Sequence, residues 1–387
     1  KDAYVKNNSG KKIIDVTENN IHLMSYSTPF FGTLSEEDMR KKLHTLSNYP
    51  DWIPYRTSYY SENWSFCCKH SLLSSEDFKA PFDVVVDTKL DYHGSLKWME
   101  LPIKGELEEE ILISTYCCHP SLANDNLSGV VVATLLCEWL KSKNLKYSYR
   151  LVMVPETIGA IAFLQQADVS KILGGMVLTC VGGPGQFSLK EGFDPDHWIN
   201  QAAHIALKKS VGEDYKTYPF VPQGSDERQY ASPGFRIVTP SIHKDKYYDY
   251  DEYHTSADNL SFVSSESLQF SLNVYQSWIE ILESFCIPRR KNPYCEYQLG
   301  QYDLYPTTGG SSLQKANSHS NLKSVNKRRK MIKKSDISEQ HVEAITWLMY
   351  MADGTKTNFE ISRHSKLNVE LVNEAIALLI GENLLEV

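Results

Sequence analysis

The pattern of hydrophobic and polar positions changes near residue 109. Before that point, short runs with β-strand character alternate with turn-rich stretches, and we predict strands at 11–16, 82–87 and 95–103. Tyrosine and tryptophan are prominent throughout this part of the chain. The pattern therefore predicts a small β-rich domain over residues 1–108.

From residue 109 onward, apolar runs of strand length alternate with amphipathic segments of helix length. The predicted strands cover 110–116, 149–154, 176–181 and 235–242, and the predicted helices cover 127–140, 158–165, 197–209 and 265–285. This alternation is typical of a mostly parallel sheet covered by helices. We therefore predict an α/β domain over residues 109–286.

The pattern loosens after Cys286. Residues 306–334 are basic and rich in serine and asparagine, so we predict an irregular segment and linker over 287–334. A compact last unit is predicted at 335–387, where a helix at 337–351 precedes a helix pair at 358–365 and 369–383. This pair is like the one in winged helix-turn-helix domains.

Composition and charge narrow the possible partners. The 387-residue chain has a formal net charge of −8, which disfavours a protein that works by coating a polyanion. Its eight cysteines form neither the dense framework of a small secreted domain nor a zinc-knuckle spacing, so we expect a cytoplasmic setting. No apolar run approaches the roughly 20 residues of a membrane span, and we expect no membrane partner.

Polar residues follow two of the predicted parallel strands. His119 comes directly after the first strand, in Cys118-His119-Pro120, and Glu156 follows the second, in Pro155-Glu156-Thr157. Ligands of open α/β sheets gather beyond the carboxyl ends of the strands. We therefore expect His119 and Glu156 to converge if the two strands are neighbours.

Two further residues could join them. Asp125 lies six residues after His119, and His254 stands in a loop before the last helix of the α/β domain. Zinc takes imidazole nitrogen and carboxylate oxygen, and a catalytic site has three protein ligands and one open position. Asp258 could accept the other ring N–H of His254 and fix its tautomer.

Each of these residues also has an ordinary structural alternative. Asp125 could cap the helix that follows it, and Glu156 could do the same for the helix at 158–165. A histidine at a strand end or in a loop, such as His119 or His254, is more often a hydrogen-bonding surface residue than a ligand.

Four segments resemble motifs of the di-zinc aminopeptidase family. Residues 124–129, Asn-Asp-Asn-Leu-Ser-Gly, are similar to a family segment whose aspartate bridges two metals. Residues 156–159, Glu-Thr-Ile-Gly, resemble Glu-Glu-x-Gly, in which the first glutamate is the general base and the second a ligand. Residues 224–227, Gly-Ser-Asp-Glu, resemble Gly-Ser-Asp-His, and residues 253–255, Tyr-His-Thr, resemble the segment of the late histidine ligand.

The sequence is still more similar to a bacterial group of aminopeptidase-like proteins. That group carries His-Pro-Ser-x-x-Asn-Asp-Asn-Leu-Ser-Gly, Pro-Glu-Thr-Ile-Gly, Gly-Ser-Asp-Glu-Arg-Gln-Tyr and Tyr-His-Thr-Ser, and the resemblance covers essentially the whole chain. It implies an inserted β-rich domain, a peptidase-like domain and a C-terminal winged helix, often encoded beside genes for surface-polysaccharide synthesis. It also implies an N-terminal helical segment that is absent from this sequence.

The departures from the di-zinc motifs reduce the implied ligand set. Thr157 stands where the second glutamate would bind a metal, and Thr179 or Cys180 stands where a ligand aspartate would end the third strand. Ser121 replaces the aspartate that orients the first histidine. We therefore expect one zinc ion, held by the three remaining ligands, which are His119, Asp125 and His254. The motifs leave open whether a second ion binds.

The resemblance implies a zinc-dependent hydrolase that cleaves an amide bond of a peptide or a small amide, with Glu156 as general base. Asp226 and Glu227 could bind a metal, orient a ligand or bind a substrate amine, or could form an ordinary salt bridge with Arg228. The alternative is a catalytically reduced binding or scaffold protein linked to surface-polysaccharide biosynthesis.

A third hypothesis makes the C-terminal unit a DNA reader. The candidate recognition segment 368–383 carries three glutamates and no lysine or arginine, which is a poor match to phosphate. The basic run at 327–330 is more typical of a solvated linker. We therefore expect no nucleic acid partner, and expect the winged helix to serve protein contact or self-association.

Overall fold

The computed structural model describes residues 2–58, 60–304 and 337–387. These form two compact units, with the boundary between Glu280 and Ile281. The linker predicted at 306–334, with its basic run, lies outside the described residues.

An antiparallel sheet opens the first unit and confirms the strands predicted at 11–16 and 82–87. The first elements along the chain are β1 (Ala3–Lys6), β2 (Lys12–Asp15), β3 (Phe30–Leu34), α1 (Glu36–Lys41), β4 (Leu43–His44), β5 (Phe66–Cys67) and β6 (Phe82–Val86). The strand order in the antiparallel sheet is β2-β1-β6-β3. Alternate residues of β6, namely Phe82, Val84 and Val86, are buried and pack in one core with Phe66. This period of two explains why the segment forms a half-buried strand.

The central sheet of the first unit is mostly parallel, which confirms the predicted fold class. Its strand order is β10-β8-β9-β7, and its strands are β7 (Met99–Ile103), β8 (Glu110–Tyr116), β9 (Ser148–Val154) and β10 (Ile172–Leu178). The sequence pattern places β7 in the β-rich domain, whereas the structure pairs β7 antiparallel with β9 at the edge of this sheet. The alternating pattern of β7 shows that it is a strand but does not identify its partner.

Helices cover the central sheet close to the predicted positions. A single irregular turn at Ala123–Ser128 leads into α2 (Gly129–Lys141), and α3 (Ile158–Gln166), α4 (Trp198–Val211), α5 (Glu227–Tyr230) and α6 (Ser265–Glu283) follow. Phe163 of α3 is fully buried in one core with Leu112, Val152 and Val177 of the three parallel strands. This packing holds α3 against the three strands, and so positions the loops that follow their carboxyl ends.

The strand predicted at 235–242 is wrong over most of its length. Only β13 (Ser241–His243) is a strand, and it joins β11 (Ser188–Lys190) and β12 (Lys216–Tyr218) in a small separate sheet. The backbone carbonyls of Val238 and Pro240 still accept hydrogen bonds from β10. Pro240 has no N–H to donate, so a regular ladder cannot continue through it.

The second unit contains α7 (Glu339–Met351), α8 (Asn358–Ser365) and α9 (Val369–Gly381), which confirms the three predicted helices. Two short strands, β14 (Arg289–Arg290) and β15 (Leu385–Glu386), pair antiparallel. The winged-helix assignment itself remains a prediction. None of the helices in the described ranges combines the length and the apolar character that a bilayer crossing requires.

Candidate metal centre

The four residues predicted for the centre lie together at the carboxyl edge of the central sheet. His119 follows β8, Glu156 follows β9, Asp125 lies in the turn before α2, and His254 comes from the loop before α6. The His254 Nε2 atom is 2.9 Å from Asp125 Oδ2, and His119 Nε2 is 3.9 Å from the same oxygen. The Glu156 Oε2 atom is 3.6 Å from His119 Nε2.

The donor atoms of this cluster fit a cation. Asp125 Oδ2 and His254 Nε2 are buried and are close to each other, yet the described residues give neither atom a partner with hydrogen-bond geometry. Buried polar atoms without partners are costly unless a ligand or an ion satisfies them. One ligand atom each from His119, Asp125 and His254 lies within 4.8 Å of the others, and this nitrogen and oxygen set suits zinc.

Asp125 is oriented by hydrogen bonds on both its backbone and its side chain. The Asp258 carboxylate accepts the backbone N–H groups of Asn124 and Asp125 at 2.5 and 2.9 Å, and the Tyr116 hydroxyl donates to Asp125 Oδ1 at 2.6 Å. Asp258 thus supports the turn that carries Asp125, and its predicted contact with the ring of His254 is not among the hydrogen bonds of the described residues. Burial alone would raise the pKa of Asp125, but the two histidines and Tyr116 together hold it below its usual value.

Tyr116 also links the centre to the third parallel strand. Its hydroxyl oxygen is 2.6 Å from Thr179 Oγ1 as well as 2.6 Å from Asp125 Oδ1. The second carboxylate oxygen of Asp125 is therefore already in a hydrogen-bonded network with Thr179, one of the residues that depart from the di-zinc motifs. Tyr116 is not among the residues predicted from the sequence, although its position at the end of β8 places it at the ligand-binding edge of the sheet.

Glu156 is a partly buried carboxylate whose pKa is raised by its surroundings. Its side chain is 25% exposed and projects into the cleft described below. Burial, helped by the negative charge of Asp125, raises the pKa of Glu156 to about 7, while His119 and the Ser225 hydroxyl act in the opposite direction. A base is most effective when its pKa lies near the working pH.

Asp226 and Glu227 belong to neither of the possible ligand groups that the described residues form. Both are buried, with relative exposures of 0% and 1%. Asp226 accepts the backbone N–H of Thr157 at 2.6 Å, so it orients the residue next to Glu156. Glu227 accepts a hydrogen bond from Ser241 and pairs with Lys190 at 3.8 Å, so the salt bridge considered with Arg228 is formed with a different cation.

Cys118 forms a second possible ligand group with His119 and Glu156. The Cys118 sulfur lies 3.4 Å from His119 Nδ1 and 3.3 Å from the backbone nitrogen of Glu156. Cys118 is exposed, and its sulfur already accepts the Glu156 N–H, whereas Asp125 Oδ2 and His254 Nε2 are buried atoms without partners among the described residues. Buried atoms without partners are the ones that an ion would satisfy, so the proposal below uses the group of His119, Asp125 and His254.

The centre opens into a cleft of about 200 Å³. The β-rich part supplies one wall through Ser25, Tyr26, Tyr55 and Thr57. The other lining residues outside the centre are Tyr116, Cys118, Pro155, Thr157, Ile158, Gly224, Ser225, Arg228, Tyr247, Tyr248 and Tyr253. Among these tyrosines, only Tyr253 belongs to a motif recognised in the sequence, and the others could not be predicted because they belong to none.

The β-rich part also supports the loop that carries His254. The backbone nitrogen of Tyr55 donates to the His254 carbonyl at 2.7 Å. Ser256 binds Ile53 twice, because its backbone nitrogen donates to the Ile53 carbonyl at 2.8 Å and its hydroxyl accepts the Ile53 N–H at 2.9 Å. The position of His254 is thus set by the segment 53–55.

Ser256→Ala should lower the free energy of unfolding by about 1 kcal/mol, because the Ile53 N–H loses its partner. Thermal or denaturant unfolding measures this change. Ser261→Ala is the matched control, since its hydroxyl bonds only within an exposed turn, to Asn259. Equal effects of the two substitutions would contradict this account of the loop.

Comparisons with known proteins agree first on the class of fold. A zinc aminopeptidase from Bacillus subtilis superposes with a TM-score of 0.52 and 12% identity, over 71% of this chain and 80% of that chain. At this identity the likeness shows the aminopeptidase-like fold alone. A crystal structure of a candidate peptidase from Clostridium acetobutylicum covers all of this chain and 82% of its own, with 36% identity and a TM-score of 0.83.

The family follows from the sequence comparisons. A family described as a domain of unknown function, DUF4910, matches residues 6–285. The chain belongs to this family. A Clostridium acetobutylicum protein is 42% identical over 317 residues, which are 81% of this chain and 71% of that protein. Its name describes a candidate polysaccharide biosynthesis protein with an aminopeptidase-like domain.

Proposed function

We propose that the protein is a zinc-dependent hydrolase of the aminopeptidase type that cleaves an amide bond of a peptide or a small amide. The observation that carries this proposal is the convergence of His119, Asp125 and His254, with Glu156 beside them in an open cleft. Three ligands and an adjacent proton acceptor are the set that a catalytic zinc site uses.

The residues divide the work between binding and proton transfer. When bound, zinc supplies a Lewis acid that polarises a carbonyl group and makes water more acidic. Glu156 would accept a proton from the attacking water and later deliver it to the leaving nitrogen, since its carboxylate lies beside the ligand cluster in the cleft. Tyr116 and Asp258 keep the Asp125 carboxylate in position through hydrogen bonds to its side chain and backbone.

The proposed stoichiometry is one zinc ion. A second ion at the other oxygen of Asp125 would have to displace the Tyr116 hydroxyl, which bonds both Asp125 and Thr179. Thr157 offers a hydroxyl where the di-zinc motif has a carboxylate, and its backbone nitrogen is bound to Asp226. These contacts favour a single-metal centre.

Metal analysis of the purified protein tests the proposal. We expect about one equivalent of zinc in the wild-type protein, and loss of that zinc in His119→Ala and His254→Ala, because each substitution removes one of three ligands. Elemental analysis gives the content, and a crystal structure at the zinc absorption edge gives the position.

His204→Ala is the matched control, because His204 pairs with Glu191 outside the cluster. The control should retain zinc. Protein that contains no zinc after growth in zinc, or zinc that stays bound in both ligand variants, would exclude the proposed centre.

The departures at Thr157 and Thr179 favour one alternative, a catalytically reduced binding or scaffold protein. The relative named for polysaccharide biosynthesis is compatible with either function. The two differ in turnover: a hydrolase consumes an amide substrate when loaded with zinc, whereas a scaffold binds zinc or ligand without turnover.

A further inference from the structure

We infer that the cleft selects amide substrates that carry a carboxylate near the scissile bond, and that Arg228 binds this carboxylate. The inference rests on the proposed amide hydrolysis and narrows its substrate class. It departs from the expectation that an acidic side chain recognises a free substrate amine. Three observations on the cleft support it.

The first observation concerns the acids that an amine would need. Asp226 and Glu227 were the candidates, but both are buried and neither lines the cleft. One oxygen of Asp226 accepts the Thr157 N–H and one oxygen of Glu227 accepts the Ser241 hydroxyl, while Asp226 Oδ2 and Glu227 Oε2 have no hydrogen-bond partner among the described residues. Glu156 is the one carboxylate among the residues that line the described cleft, and its proposed task is proton transfer. A substrate ammonium group therefore has no dedicated partner there.

The second observation is that the cleft contains a cationic side chain, Arg228. Arg228 is exposed, lines the cleft and forms no ion pair within the described ranges. Its Nη2 atom lies 3.4 Å from Thr157 Oγ1, and Thr157 directly follows Glu156. An anion held by this guanidinium would lie beside the general base. Arginine offers a planar fork of donors that matches a carboxylate and keeps its charge at all relevant pH values.

The third observation is that several tyrosine side chains line the same cleft as Arg228. Tyr26, Tyr55, Tyr247, Tyr248 and Tyr253 all line the same cleft. Phenolic hydroxyls donate hydrogen bonds to carboxylate oxygens. The Tyr247 hydroxyl already accepts a hydrogen bond from Lys190 at 2.7 Å. A guanidinium that shares a cleft with tyrosine hydroxyls suits a substrate carboxylate better than a substrate ammonium group.

Calorimetric titration with matched ligand pairs tests the inference. Zinc-loaded Glu156→Gln protein prevents turnover during the titration. One pair is N-acetyl-L-alanine and its methyl ester, and a second is N-acetylmuramate and N-acetylglucosamine, which differ by a lactyl carboxylate. The two pairs distinguish an amino acid carboxylate from one carried on a sugar. We expect the acid of at least one pair to bind tenfold or more tightly than its neutral partner, on the order expected for a charged hydrogen bond.

Arg228→Gln in the same background should remove this preference by weakening acid binding alone, and Arg228→Lys should restore part of it. Arg40→Gln is the charge-matched control, because Arg40 pairs with Glu36 on α1 and is not among the residues of the cleft. It should leave all four affinities unchanged.

Three results would overturn the inference: no binding of either acid, equal binding within each pair, or a preference that persists in Arg228→Gln. Its failure is distinguishable from failure of the proposed function. Turnover of neutral amides by wild-type protein with no acid preference would leave the hydrolase standing and remove the carboxylate site. Arg228-dependent acid binding without turnover of any amide would support the carboxylate site and exclude the hydrolase.

Discussion

Glu156→Gln is expected to lower the rate constant for amide hydrolysis by about a thousandfold, within the range for loss of a positioned general base. Glutamine has nearly the same shape but cannot accept the proton from water. The metal ligands are untouched, so zinc content should stay at the wild-type value. Steady-state kinetics with metal analysis of the same samples measures both quantities.

Glu138→Gln is the matched control for this substitution. Glu138 lies on the exposed side of α2 and pairs only with Lys141, so its loss should leave the rate unchanged. A Glu156→Gln protein that keeps more than about a tenth of the wild-type rate would remove Glu156 from the role of general base. Loss of zinc together with activity would assign it a ligand role instead.

The zinc-free protein should become less stable as the pH rises from about 4.5 to about 7. In the unfolded chain Glu156 ionises at its ordinary pKa of 4.5, whereas in the folded protein burial and the Asp125 charge raise its pKa to about 7. Between these values the unfolded state releases the proton more readily, so rising pH favours unfolding. The contribution is fully present below pH 4.5 and is lost by pH 7, with a size on the order of 3 kcal/mol.

Denaturant unfolding of chelator-treated protein at a series of pH values measures this slope. Glu156→Gln has no ionisable group at this position, so its slope should be shallower by that amount. Asp258, whose pKa burial raises to about 6, contributes a slope of the same sign in both proteins and cancels in the difference. Identical slopes in wild type and Glu156→Gln would contradict the raised pKa.

The sequence predicted the parallel sheet and the four central residues because these depend on local signals. Strands and helices alternate with clear periods, and His119 and Glu156 stand directly after two neighbouring strands. Asp125 and His254 became recognisable through motifs that resemble a known family. The general position of the site at the carboxyl edge of the sheet follows from topology alone.

The contacts that modify the site depend on tertiary packing and were not predictable. Tyr116 reaches Asp125 and Thr179 only because the ends of β8 and β10 are neighbours in the sheet. The burial of Asp226 and its bond to Thr157 require α5 to lie against α3. The strand predicted at 235–242 was wrong for a local reason. The apolar run in this segment favoured a strand, whereas Pro240 lacks the N–H that a regular strand ladder needs.

The Tyr116 hydroxyl, which is hydrogen-bonded to both Asp125 and Thr179, makes the ligand set difficult to change one residue at a time. Introducing a carboxylate at Thr179 alone would bury a second charge beside Asp125 while the Tyr116 hydroxyl still occupied the space between them. In the proposed one-zinc centre, a carboxylate introduced at Thr157 alone would have no second ion to bind. Conversion of that proposed centre into a two-metal site, in evolution or by design, would therefore require Thr157, Thr179 and the Tyr116 contact to change together.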